Sequence, residues 1–129
     1  MEQVVLPPQL SSVPAARHWV TRTHASLTAK GCCPAGVEVT VLELLTTEAV
    51  ANAVLHGGGE VVVQLSCSGE AVRVAVSDAG AAMPVVRRAG PEVVGGHGVA
   101  LIDTLAGRWG VDAGAGAGKT VWFELSARG

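Results

Sequence analysis

The sequence predicts an α+β fold: a two-layer sandwich whose mixed, mostly antiparallel sheet carries its helices on one face. Three observations predict it. Two long helical stretches stand near the start, a pair of Val-rich runs separated by Ser68, Gly69 and Glu70 follows them, and the chain closes on an alternating strand. Helices gathered before a run of paired strands place the two kinds of element in separate layers.

The elements follow in order. Gln3 to Leu6 reads as a short strand that Pro7 and Pro8 end. Ser11, Ser12 and Pro14 resemble a helix start with Pro in its first turn, and the helix runs to about Ala29. Its apolar or neutral face is Ala16, Trp19, Val20, Thr23 and Leu27, with Arg17 and Arg22 on the solvated side. After the loop GCCPAG a second helix runs from about Val37 until Gly57, Gly58 and Gly59 stop it. Glu60 to Cys67 and Ala71 to Ser77 form an antiparallel hairpin, with Gln64 and Arg73 on the opposite face from the neighbouring valines. Residues 81 to 96 lose all periodicity and read as a long loop, a length typical of functional lids. Val99 to Ala106 regains a helical apolar face, Trp109 to Asp112 is a strand, and Thr120 to Leu125 alternates Val121, Phe123 and Leu125 with polar neighbours.

At 129 residues the chain fits one domain, residues 1–129, with no internal repeat or linker. Apolar residues make up 49% and aromatics 3%, so the core is built from packed aliphatics. Nine Lys and Arg against eleven Asp and Glu give a net charge of −2, and no basic run provides the footprint of a nucleic-acid binder. No stretch stays apolar for the roughly 20 residues of a membrane span and no leader-like segment opens the chain, so a cytoplasmic protein is expected. Cys32, Cys33 and Cys67 match neither a metal pair nor an even disulfide framework, and three reduced thiols are expected.

Chemistry concentrates in the second helix, LLTTEAVANAVLHG. Glu48, Asn52 and His56 fall four apart and so form one row along it, while the surrounding aliphatics imply a helix buried on nearly every side. A carboxylate and a carboxamide one turn apart offer oxygens to a metal ion or a water. Gly96 and Gly98 open the third helix and expose amides at its positive end, which suits phosphate oxygens. Asp78-Ala79-Gly80 sets an acceptor carboxylate beside a glycine at a strand end. Two familiar phosphate motifs are excluded by position. The tail GAGAGKT would need its first glycine at Ala113 and a helix after Thr120 to be a P-loop, and Leu101 stands where a dinucleotide fingerprint needs its third glycine.

Taken in order, the strings EAVANAVLHG, SDAG, GHGVAL and GKTVWFEL resemble the N box, the two glycine boxes and the closing strand of the GHKL superfamily of ATP-binding domains, which includes gyrase B, MutL and histidine kinases. Within it, the chain from about Val13 to Leu125 looks most like small stand-alone members related to bacterial anti-sigma-factor serine-protein kinases. The resemblance implies a single domain binding ATP with Mg²⁺. It makes Glu48 the general base and Asn52 the Mg²⁺ ligand, and Asp78 the acceptor for the adenine amino group. Gly80 would admit the base, Gly96 and Gly98 would cradle phosphates under a lid at about residues 81–97, and Thr120 would support the adenine end. Arg87 and Arg88 in the lid are candidates for charge stabilisation at the γ-phosphate; Lys119 reads as a solvated turn lysine or a phosphate contact. The implied activity is a serine/threonine-protein kinase acting on an anti-anti-sigma-type protein and binding a sigma factor, and related kinases are often homodimers. The alternative is a non-catalytic nucleotide-binding module that regulates a partner; retention of Glu48 favours the kinase, because a pure ATP binder needs no base. A sensor histidine kinase is disfavoured, as the sequence shows no dimerising helix pair with a phosphoacceptor His.

Overall fold

The structure is a computed structural model that describes residues 1–80, 102–103, 105–113 and 118–127. Five strands form one sheet in the order β1-β2-β3-β5-β4: β1 Glu2–Leu6, β2 Val61–Cys67, β3 Ala71–Asp78, β4 Arg108–Ala113 and β5 Lys119–Ser126. Every described pairing is antiparallel. Helices α1 Ser12–Ala29 and α2 Val39–His56 pack on each other and on one face of this sheet, giving the expected two-layer α+β arrangement.

Strand alternation explains the layers. Val61, Val63 and Leu65 of β2, Val72, Val74 and Val76 of β3, and Val121, Phe123 and Leu125 of β5 are buried beneath the helices. Their neighbours face the other way. There Arg73 pairs with Glu124 at 3.2 Å and lies 4.0 Å from the Trp122 ring, on the face opposite the valines as its spacing requires. The helices close the core from above with Ala16 and Val20 of α1 and with Leu42, Leu45, Ala49, Val50 and Ala53 of α2. Ile102 joins the same core, whereas Leu105, in the stretch expected to carry a helical apolar face, is 40% exposed.

Four expectations change. First, α2 is buried on one side only: Val39, Leu44 and Leu55 are exposed, because its two packing partners leave an outer stripe. Second, α1 buries His24 where Thr23 was expected. Third, Arg17 is half-buried and reaches Thr47 Oγ1 of α2 at 3.5 Å, while Arg22 is exposed as expected. Fourth, Cys33 and Cys67 form a disulfide and only Cys32 is a free, exposed thiol among the described residues. Cys67 has the same strand parity as Val61, Val63 and Leu65, so its sulfur turns to the helix side, where the loop before α2 brings the buried Cys33. By length and mean hydropathy α2 reaches the lower bound for a membrane-spanning helix, yet here it packs against α1, β2 and β3.

Candidate functional site

The site is built where α2 ends against β3. Gly57 closes the last helical turn by donating to Ala53 O at 2.9 Å, and Gly58 O then accepts from Ala79 N at 2.7 Å. This stitches the end of α2 to the end of β3. Only glycine permits so close an approach: a Cβ on Gly57 would lie 2.5 Å from Asp78 Cγ, and one on Gly80 would lie 2.7 Å from Gly57 C. Gly59 has φ +67°, a left-handed conformation that lets the chain turn into β2. The three glycines that read as a simple helix stop therefore also shape the wall around Asp78.

Asp78 itself is buried, and its Oδ1 accepts two hydrogen bonds, from Gly80 N at 2.7 Å and from Lys119 Nζ at 2.9 Å. The lysine comes from the paired strand, directly opposite in register. Both side chains are 2% exposed, so this is a buried ion pair. Lys119 was expected as a solvated turn residue or a phosphate contact; it is instead the first residue of β5, on the core-facing parity of Val121 and Phe123. Gly118 completes the enclosure, where a Cβ would meet the Asp78 carbonyl at 3.0 Å.

Thr120 differs from its expected place. One residue beyond Lys119, it points to the sheet face away from the helices and hydrogen-bonds Ser77 across the strands at 2.7 Å. The two-residue period of β5 sends Lys119, not Thr120, to the face that carries Asp78. Sequence reasoning missed this role of Lys119, although the alternation Lys119, Val121, Phe123, Leu125 was there to find it.

Glu48 and Asn52 are both half-buried on α2, one turn apart, and His56 is exposed at the end of the same row. The row leads away from Asp78. With Gly57 against the carboxylate, Asn52 lies roughly 8 Å and Glu48 roughly 14 Å back along the helix axis at the rise of an α-helix. Gly96 and Gly98, the lid at about 81–97 and its Arg87 and Arg88 lie outside the described residues. No cluster of His, Cys, Asp and Glu able to hold a metal ion occurs among the described residues. A carboxamide such as Asn52 completes a Mg²⁺ shell only with phosphates and waters, since that ion keeps several waters and needs few protein ligands.

An open antiparallel sheet under two helices, with a glycine-walled carboxylate at the end of α2, is consistent with a GHKL-type domain. The sequence profile of the histidine kinase-like ATPase domain matches residues 6–125, and the chain belongs to that family. Among solved structures, the histidine kinase domain of a blue-light-activated histidine kinase from Erythrobacter litoralis is 30% identical, with a TM-score of 0.47 over 67% of this chain and 43% of that one. The histidine kinase AdeS of Acinetobacter baumannii shares the fold at a TM-score of 0.53 and 12% identity, over 100% of this chain and 69% of that one. The full-length structure of ShkA in complex with AMPPNP is 22% identical at a TM-score of 0.47, over 99% of this chain and 32% of that one. No curated protein matches the sequence.

Proposed function

We propose that this domain binds Mg·ATP and acts as a cytoplasmic serine/threonine-protein kinase of the anti-sigma-factor type, phosphorylating an anti-anti-sigma-type protein and binding a sigma factor. The observation that supports the reading is that buried Asp78, at the end of β3, abuts the end of α2, with Asn52 and then Glu48 following back along that helix. Asp78 accepts the adenine amino group. Asn52 would hold Mg²⁺ through its side-chain oxygen, and the bound ion would supply charge neutralisation at the phosphates. Glu48 takes the proton of the attacking serine or threonine hydroxyl, which forms the new P–O bond as the bond to ADP breaks. Gly96 and Gly98 cradle the phosphates with backbone amides.

The test is incubation with labelled Mg·ATP and a panel of anti-anti-sigma-type proteins, comparing wild type with Glu48→Ala and Asn52→Ala. The expected result is label on a partner hydroxyl, lost in both variants, with ATP binding kept in Glu48→Ala. ATP binding without transfer to any partner supports a regulatory binding module instead. A calorimetric titration with Mg²⁺ present that shows no heat of ATP binding sinks the site assignment.

A further inference from the structure

We infer that Lys119 reads the nucleotide base together with Asp78, donating to N1 of adenine while the carboxylate accepts from the N6 amino group. The inference rests on the ATP-binding reading and deepens it. Gly80 N and Lys119 Nζ converge on one oxygen of Asp78, at 2.7 and 2.9 Å. An incoming amino group is then met by Oδ2, beside an ammonium that carries three donors and places one of them on Oδ1. The Watson–Crick edge of adenine presents an N6–H donor next to the N1 acceptor, which is the complement of a carboxylate next to an ammonium.

A purely structural role accounts for the pair less well. Two charges buried to 2% exposure are in general no more stabilising than an apolar pair of the same volume. Lys119 stands on a core-facing strand position among Val121, Phe123 and Leu125, where an aliphatic residue would pack without desolvating a charge. The glycine walls at Gly57, Gly80 and Gly118 fix the carboxylate in place, so that both partners are held in one geometry before a base arrives.

Titration calorimetry with wild-type protein and two analogues separates the claims: 1-deaza-ATP, in which N1 is replaced by C–H, and purine riboside triphosphate, which lacks the N6 amino group. Wild type is expected to bind 1-deaza-ATP about tenfold to a hundredfold more weakly than ATP, the loss of one hydrogen bond to a charged donor. In Lys119→Met, and in Lys119→Leu if that variant does not fold, ATP and 1-deaza-ATP are expected to bind equally. A structural lysine would weaken both ligands and leave their ratio unchanged, and that result overturns the inference. Equal binding of ATP and 1-deaza-ATP by wild type, with purine riboside triphosphate still weakened, overturns the role of Lys119 and leaves the ATP reading intact. No binding of ATP to wild type overturns both.

Discussion

Buried polar side chains determine how the molecule responds to its surroundings, and His24 is the clearest case. It is 5% exposed on the inner face of α1, with Thr28 Oγ1 3.4 Å from its Nε2. Desolvation disfavours the imidazolium, so the ring titrates below its ordinary value of 6.5. The unfolded chain takes up this proton first as the pH falls. Stability contributed by the neutral ring is therefore full above about pH 6.5 and is lost as the pH drops through the lowered folded value. Urea midpoints measured across this window should fall toward acid in wild type and flatten in His24→Gln; an unchanged slope would show that His24 stays solvated. Lys119 and Asp78 differ from His24 in that each supplies the other's counter-charge. Their pairing was legible in the sequence only in part. Asp78-Ala79-Gly80 stood out as an acceptor beside a glycine, but a lysine following glycines reads as turn chemistry until the strand is extended back by one residue.

At the scale of elements, α2 is positioned from both ends. Its C-terminus is fixed by the Gly57–Gly58 contact with β3, and the loop ahead of its N-terminus is tied by Cys33 to Cys67 at the end of β2. The cross-link closes a sequence separation of 34 residues, which by chain entropy is worth about 4 kcal/mol. Dithiothreitol should lower the urea midpoint of wild type by a corresponding amount and leave Cys33→Ala/Cys67→Ala untouched, with Cys32→Ala behaving as wild type. Equal stability with and without reductant would show that the pair contributes nothing to folding. The boundaries of α1, α2 and the hairpin were readable because Pro, Ser and Gly punctuate long periodic runs. What sequence could not give was which side of α2 faces outward. Leu44 and Leu55 look like core residues by type, and only the placement of α1 and the sheet leaves them exposed. The disulfide was hidden for a related reason. Its partners meet through the packing of a loop on a strand end, a contact that no local spacing encodes.

For the whole molecule, the sheet order sets how ligand binding is felt. β3 is the central strand with β5 beside it, and the segment between them in sequence includes β4, an edge strand, and Ile102, which enters the common core. Asp78 and Lys119 thus belong to two paired interior strands, while Asn52 and Glu48 belong to the helix that packs on β2 and β3. A ligand bridging these elements binds only when helix layer and sheet are docked, so its binding free energy adds to the stability of the whole fold. At a concentration of 100 times Kd the gain is about 2.7 kcal/mol, which for a domain of this size raises Tm by about 10 °C. Thermal unfolding monitored by the fluorescence of Trp19, Trp109 and Trp122 should therefore move upward with Mg·ATP as one transition. The increment should vanish in Asp78→Asn, and in Asn52→Ala it should lose its dependence on Mg²⁺. A ligand-induced shift that Asp78→Asn leaves unchanged would place the nucleotide somewhere other than the glycine-walled end of α2.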